Sequence, residues 1–354
     1  MPTVIRIVDE LMEDGLVKLT GKTAGKTGRP RQLLRYNQNG GMVIGIDLGG
    51  TSLYGALANI GGEVLGELST SQHGLSAEEN YSLVVQMIQS LVELSDQQKQ
   101  PLLGIAIGVP GVTQARTGVV EWAPSLNWRK FSLKEQITEC FRLPVVVEND
   151  VNLAVLGELW FGVGRGLRNL VLLSIGTGVG AGIVIDGMLY RGHNYASGEV
   201  GYFIPGIEDL GQQYKRFGAM EEIISDIGLI KRARTLLSRI QPEMDLSSLT
   251  AKDIISAARR GETWANQLID ETADYLAMVI ANIATLLDPD LIILGGGISS
   301  SADLLIPRIL SRIEGVIQHV PRLEASSLGA RATVMGAISM VLHLTKDYYV
   351  VRRL

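Results

Sequence analysis

The chain has 354 residues, 46% of them apolar and 19% charged, with a formal net charge of −5. That length and apolar content suit one large two-lobed fold with a substantial core, and exclude a disordered chain; the acidic balance excludes a general polyanion binder, so any nucleic-acid contact must come from a local patch. A single cysteine excludes an intrachain disulfide and a cysteine-based zinc site and suits a reducing cytoplasm, and no apolar run approaches a membrane span.

Residues Thr3 to Met12 read as an amphipathic helix with Val4, Ile7, Val8 and Leu11 on one face, ended by Gly15. A basic, glycine-punctuated stretch follows, holding Lys18, Lys22, Lys26, Arg29 and Arg31. Residues 1–37 carry seven Lys/Arg against four Asp/Glu. A helix and a basic hairpin in that order suggest a DNA reader; the plain alternative is a solvated hairpin. "NQNGG", residues 37–41, separates this segment from the rest.

"MVIGIDLGGTSLYGALANIGGEVLGEL" reads as strand, glycine turn, strand, turn, strand. A helix capped by Ser76 follows. "LLGIAIGVPG" is a strand buried on both faces. The helix "SLKEQITECF" places Cys140 beside Phe141 and Leu143, as a small buried hydrophobe. "LPVVVEND" is a strand and "VNLAVLGELWFG" a helix. The pattern then repeats, with "LRNLVLLSIGTGVGAGIVIDGMLYRG" again reading strand, glycine turn, strand, turn, short strand. Helices are expected around 219–239, 250–260 and 263–287. "DLIILGGGIS" is a buried strand, "ADLLIPRILSRIEGVI" a helix broken or started by Pro307, and "LGARATVMGAISMVLHL" a final helix. Two lobes that open alike point to an internal duplication.

"GIDLGGTS" and "SIGTGVGAG" lead into strands rather than helices, so they are hairpins, not dinucleotide fingerprints. One such turn is an ordinary hairpin needing positive φ. Two in equivalent places favour a phosphate clamp built from backbone N–H groups. Gly295, Gly296 and Gly297 form either an adenine shelf or a strand-to-helix turn. Asp150, between a buried strand and a helix, reads equally as an N-cap or as a carboxylate that accepts a hydroxyl proton at a strand's C-terminal end. Asp47 reads as a water-mediated Mg²⁺ ligand or as a turn-stabilising aspartate.

Together, "IGIDLGGT", "GIAIGVPG", "VVVENDVNLA", "LLSIGTGVGAGIVIDG", "ASGEVGY" and "LDPDLIILGGGI" resemble the ROK family of bacterial sugar kinases, open reading frames and sugar-responsive repressors. Six blocks in order, from residue 43 to about 345, carry the resemblance. It implies an α/β fold of the actin-like ATPase type (hexokinase-type, ribonuclease H-like), with two lobes around a cleft. The opening "PTVIRIVDELMEDGL" resembles the recognition helix of the family's winged helix-turn-helix, and "KTGRPRQLLRYN" its wing. The implied division is a partial winged helix-turn-helix at 1–40, a first lobe at 41–165 with 330–354, and a second lobe at 166–329.

The resemblance makes Asp150 the general base, with Asn149, Glu199, Tyr202 and Glu221 on the sugar. Asp47, Gly49, Gly50 and Thr51 match the first phosphate loop, Thr177 and Gly178 the second, and Gly296 the adenosine segment; Asp47 would serve Mg²⁺. Thr3, Arg6, Arg29 and Arg31 would touch DNA. The chain departs from the family where zinc ligands are usual: Tyr202 stands for a histidine, and Gln212, Tyr214 and Ala219 for cysteines. No structural zinc is expected, and Tyr214 and Phe217 would stabilise that region by packing. Ser125 replaces an asparagine, and Ser52 stands where kinases often carry lysine. Because the first two helices of the DNA-binding unit are not in the sequence, either the start lies upstream of Met1 or the unit has eroded.

The expected function is a sugar-responsive transcriptional regulator with a sugar-kinase-like effector domain. The alternatives are an ATP-dependent, glucokinase-like hexose kinase using Mg-ATP, and a sugar-binding protein with neither activity. Expected partners are a hexose or hexose derivative, operator DNA if the upstream helices exist, and a second copy in a homodimer or tetramer.

Overall fold

A computed structural model describes residues 2–13, 15–23, 31–214, 218–240, 242–243 and 245–344. The chain divides into two compact units, Met1–Leu153 with Thr333–Leu354, and Ala154–Ala332.

The first unit begins with α1 (Pro2–Glu13). Gly15 ends it at φ +72°, donating its N–H to the Met12 carbonyl, a left-handed stop that glycine adopts without strain. The strands β1 (Val17–Thr23) and β2 (Arg31–Tyr36) pair antiparallel. Val4 and Ile7, on the predicted apolar face of α1, are exposed, while Val8 and Leu11 are half-buried. The Tyr36 hydroxyl donates to the Ile60 carbonyl at 2.8 Å, and Asn37 Nδ2 to the Gly15 carbonyl at 2.7 Å. The first bond ties the hairpin to the sheet that follows, and the second ties the end of the hairpin to the end of α1.

That sheet is built from β3 (Met42–Leu48), β4 (Ser52–Asn59) and β5 (Val64–Ser71), then α2 (Ala77–Asp96) and β6 (Leu102–Val109). Ser76 caps α2 in a reciprocal capping box with Glu79, the arrangement that satisfies two orphan helix donors. A small sheet of β7 (Val112–Gln114), β8 (Val119–Ala123) and β9 (Trp128–Phe131) comes next, then α3 (Leu133–Phe141), β10 (Val145–Asn149) and α4 (Asp150–Phe161). The five-stranded sheet runs β10-β6-β3-β4-β5. β3, β4 and β5 are antiparallel neighbours, and β6 and β10 run parallel to β3.

The second unit repeats this plan. β11 (Leu170–Ile175), β12 (Val179–Ile185) and β13 (Met188–Leu189) form the hairpins. Four helices follow: α5 (Ala219–Ile224), α6 (Asp226–Ile240), α7 (Ala251–Arg259) and α8 (Thr263–Leu287). Then come β14 (Leu291–Gly295), α9 (Ala302–Ile313), β15 (Leu323–Ala325) and α10 (Ala332–Leu344). The sheet order is β13-β12-β11-β14-β15. Numbered by appearance within each unit, both sheets read 3-2-1-4-5, which is the predicted duplication in structural form. The last helix after each sheet changes unit: α4 follows β10 but belongs to the second unit from Ala154, and α10 follows β15 but belongs to the first.

Four expectations are corrected. The short strands β7 to β9 were not anticipated. The helix expected over 219–239 is two helices that break at Ser225, whose ψ of 164° is extended. Pro307 neither breaks nor starts α9 but lies inside it. Pro307 and Asp303, whose carbonyl it leaves unbonded, are both exposed, so water can serve that carbonyl. Cys140 is exposed, with its sulfur 3.5 Å from the Tyr81 hydroxyl. α3 buries Leu133 and Ile137 and packs Phe141 against the core, a four-residue spacing that turns Cys140 off the buried face.

Candidate functional site

In the first unit the site is made by three neighbouring strand ends. Asp47 on β3 and Glu148 on β10 both pair across the sheet with Gly108 on β6. They form one row at the C-terminal edge of the parallel strands, where α/β sheets place their ligands. Asp150 follows two residues after Glu148 and opens α4.

The capping alternative for Asp150 is removed by Asn149. Asn149 Oδ1 accepts the Asn152 N–H at 3.0 Å, the bond of an N-cap. Asn149 Nδ2 donates to the Gly111 carbonyl at 3.0 Å. Glu148, almost fully buried, accepts from the Asn149 N–H and from Asn152 Nδ2, each at 3.0 Å. Glu148 and Asn149 therefore build the helix start and leave Asp150 free of that task. One Asp150 oxygen accepts the Val151 N–H at 2.9 Å.

Burial raises the Asp150 pKa to about 6, against the lowering effect of backbone N–H bonds. Burial raises Asp47 further, to about 8; the Asp150 charge adds to the rise, and a hydrogen bond from Thr333 opposes it. Two carboxylates close enough to perturb each other are the arrangement in which one takes a proton readily, or in which a cation relieves both.

Gly108 permits the approach. A Cβ there would lie 2.6 Å from Thr333 Cγ2 and 3.3 Å from Asp150 Cα. Gly108 and Thr333 were missed in the sequence. Gly108 looks like any strand glycine, and Thr333 lies far along the chain, at the start of α10.

The turn between β3 and β4 holds Gly49, Gly50 and Thr51. Gly49 donates its N–H to the Ser52 carbonyl at 2.9 Å. Gln72, buried just after β5, grips the turn: its N–H donates to the Thr51 carbonyl at 2.9 Å and its Nε2 to the Gly49 carbonyl. A Cβ on Gly50 would be 3.4 Å from Ser125 Cβ. Ser125 is held there by the loop into β9: Trp128, buried, donates Nε1–H to the Ala77 carbonyl at 3.0 Å and stacks on Phe131 at 4.5 Å between ring centroids.

In the second unit, the turn between β11 and β12 carries Thr177 and Gly178, both exposed. It is gripped from two sides. Glu221 Oε2 accepts the Val179 N–H at 2.9 Å, and the Gly176 carbonyl accepts the Asp226 N–H at 2.8 Å. The expectation that such turns need positive φ is not met: Gly49, Gly50, Gly176 and Gly178 all lie outside the left-handed region. At Gly50, Gly176 and Gly178 the nearest atoms to an added Cβ are 3.4–3.7 Å away, ordinary contact distances. Neither backbone nor packing demands glycine at these three positions, which leaves room for something outside the chain as their reason. Gly296 differs: it has φ +72° and a Cβ would meet the Ile175 carbonyl oxygen at 2.6 Å.

Glu199, Tyr202 and Glu221 come together in this unit. Partial desolvation, then the charges of Glu199 and Glu221, raise the Tyr202 hydroxyl, although the residue as a whole is exposed. Burial also raises Glu221, against its bond from Val179, with Glu199 adding to the rise. Glu221 Oε1 is buried and has no hydrogen-bond partner among the described residues, an acceptor suited to a hydroxyl from a ligand.

The region of the usual zinc ligands does not fit the metal. Ala219 has no donor atom, Gln212 Nε2 donates to the Glu208 carbonyl at 2.6 Å, and the Tyr214 hydroxyl donates to Asp209. Asp209 also accepts the Gly206 N–H at 3.1 Å. Hydrogen bonds centred on Asp209 hold this segment, where packing through Tyr214 was expected; Phe217 lies outside the described residues. Among the described residues no three His, Cys, Asp or Glu side chains form a metal-holding group. Of the DNA-facing candidates, Thr3 lies in α1 and Arg31 opens β2. Arg6 is exposed and pairs with Glu10 at 3.5 Å; Arg29 lies outside the described residues.

The family model described as "ROK family" matches residues 43–343. The chain belongs to the ROK family. Its ROK relatives include both repressors and glucokinases. The xylose repressor of Caldicellulosiruptor bescii is 32% identical over 350 residues, covering 96% of this chain and 88% of the relative. The glucokinase of Halalkalibacterium halodurans is 34% identical over 309 residues, covering 83% and 92%. Among solved structures, a ROK family transcriptional regulator, a homolog of the E. coli MLC protein, superposes with a TM-score of 0.83 at 28% identity, covering 97% of this chain and 89% of that one. A ROK family glucokinase from Streptomyces griseus, in complex with glucose and AMPPNP, superposes with a TM-score of 0.73 at 27% identity, covering 84% and 98%. The fold is thus the actin-like, sugar-kinase fold of the ROK proteins, as the sequence motifs implied.

Proposed function

We propose that the chain is a sugar-responsive transcriptional regulator whose effector portion keeps the sugar and nucleotide chemistry of a kinase. The carrying observation is the N-terminal segment. α1, β1 and β2 form a helix followed by an antiparallel basic hairpin ahead of the matched ROK residues. A match over 96% of the chain, as with the xylose repressor, necessarily includes part of residues 1–42, whereas one over 83%, as with the glucokinase, need not. The exposed apolar side chains of Val4 and Ile7 fit a helix that packs on further helices of a DNA-binding unit. Arg6, Arg29 and Arg31 would contact phosphate or the minor groove.

The sugar is the regulatory ligand in this reading. In the first unit Asp150, supported by Asn149, is the candidate hydroxyl acceptor, and in the second unit Glu199 and Glu221 are. The test is selection of duplex DNA by the protein, followed by titration with an aldose panel that includes glucose and xylose. Sequence-selective binding with a steep salt dependence, altered by one sugar, is the expected result. No selection from a random pool, with the protein folded, would sink it.

A second reading, an ATP-dependent hexose kinase, is favoured by the Asp47–Asp150 pair. Asp150, raised to about 6, is tuned to take a proton from a sugar hydroxyl near neutral pH. The bare glycine turns fit phosphate oxygens, and Asp47 fits Mg²⁺ through water, which would supply charge neutralisation for phosphoryl transfer. Glucose 6-phosphate, or another sugar phosphate, formed from Mg-ATP in a coupled assay supports this reading. Absence of turnover across a hexose panel leaves the regulator.

A further inference from the structure

Asp226 is a carboxylate without an evident task. It opens α6 but does not cap it: Ser225 Oγ accepts the Gly228 N–H at 3.2 Å and fills that role. An acid in the first turn of a helix can serve the helix dipole, which would hold its pKa low; burial instead pushes Asp226 up. Its side chain has no hydrogen bond or ion pair among the described residues.

Its surroundings are two glycine segments. The Asp226 N–H donates to the Gly176 carbonyl. A Cβ on Gly297 would lie 3.6 Å from Asp226 Oδ2 and 3.8 Å from Gly176 Cα, and a Cβ on Gly176 would lie 3.6 Å from the Gly297 N. The three residues therefore meet at one point in the second unit. One arm leads to the Thr177–Gly178 turn, the other to the Gly296–Gly297 shelf.

This inference rests on the nucleotide reading of those two segments. If phosphates lie at the first and adenine at the second, the part of a nucleotide at the meeting point is the ribose. An anion there disfavours phosphate by repulsion. It suits a vicinal diol, whose two O–H groups can donate to the two carboxylate oxygens in charge-assisted bonds. We propose that Asp226 receives the ribose hydroxyls and selects ribonucleotides over deoxynucleotides.

The test is calorimetric binding of Mg-ATP, Mg-2′-deoxy-ATP and Mg-3′-deoxy-ATP to the full chain and to its Asp226→Ala and Asp226→Asn variants. Wild type should bind ATP roughly 10-fold or more tightly than either deoxy analogue, the scale of a lost bond to a charged group. Asp226→Ala should weaken ATP most and each deoxy analogue, which keeps one ribose hydroxyl, by less, bringing the three within about threefold of one another. Asp226→Asn, which keeps one acceptor and the shape, should fall between and shows that the fold survives. An Asp226→Ala protein that still prefers ATP, or that weakens all three equally, overturns the ribose assignment while leaving nucleotide binding intact. Wild type that binds none of the three overturns the nucleotide reading itself, and this assignment with it.

Discussion

The two sheets share strand order and direction, yet only one carries the acid pair. Leu48 and Leu53 are the last partners before the first glycine turn, and Ile175 and Val179 the last before the second. Position for position, Asp47 in the first unit is Ser174 in the second. Each faces a glycine on the neighbouring parallel strand, Gly108 or Gly295. The scaffold of strand end, turn and neighbouring glycine is therefore common to both. The chemistry comes from one substitution on it and from the helix start that adds Asp150. Each unit carries a glycine turn at the same strand end, and the two differ in the residue one step before that end, an acid in the first and a serine in the second.

The largest effect expected from breaking this asymmetry is at Asp150. Where hexose phosphorylation is measured, Asp150→Asn should lower kcat roughly 10²–10⁴-fold and leave sugar affinity within a few-fold. Turnover that survives would place the base elsewhere.

Asp47 should show its burial in the pH dependence of stability. Asp47 and Asp150 both hold protons more tightly folded than unfolded. Their contribution is complete below about pH 4, where either state is protonated. It is lost as the pH rises through about 6 for Asp150 and about 8 for Asp47. Asp47→Asn should therefore stabilise the protein above pH 8, by at most roughly 6 kcal/mol, and change little at pH 4. Urea melts at the two pH values read this directly. Ser174→Ala, at the counterpart position, should give the same difference from wild type at both, and a pH-dependent difference there would contradict the comparison.

Gly108 and Gly295 sharpen the contrast further. Gly108→Ala sets a Cβ against Thr333 and the Asp150 backbone and should cost roughly 1–3 kcal/mol. Gly295→Ala meets the end of the Leu172 side chain, 2.9 Å away, which can turn aside, so its cost should be smaller. The smallest effect on folding belongs to Gly178→Ala, within about 0.5 kcal/mol, because its Cβ has room. Its nucleotide affinity should nonetheless fall; unchanged affinity would show that the turn holds no phosphate.

The strong periodicities carried the fold: both glycine hairpins, the duplication, α2 with its cap and the buried strands were legible as patterns within a few dozen residues. β7 to β9 were not, since strands of three to five residues offer too few alternations to read. The site was legible where one residue type at a strand end implies chemistry, as with Asp47 and Asp150. It was not legible where the fold brings distant residues together. Thr333 reaches Asp47 across the whole second unit. Gln72 looks like any polar residue after a strand until it is seen gripping Gly49. Glu158 reads as a polar position in a helix, yet it is fully buried and accepts from Ser326 Oγ at 2.6 Å, Leu328 N–H at 2.9 Å, Val163 N–H at 2.9 Å and Ser327 Oγ at 3.0 Å.

The exchange of final helices fixes an order of events at the ribosome. α10 is one face of the first unit: a Cβ on Gly45 would sit 2.8 Å from the Val334 carbonyl oxygen, and one on Gly104 3.0 Å from Val341 Cγ1. Yet α10 is translated only after the entire second unit. Through that interval the face of the nascent first sheet that α10 will cover stays bare, with residues that end buried, among them Val43, Ala106 and Val146. Domain-by-domain completion during synthesis, the usual protection against aggregation, is closed to this half. The second unit can be finished while the first still waits, so chaperone demand should peak with the early half of the chain made and its last helix not yet released.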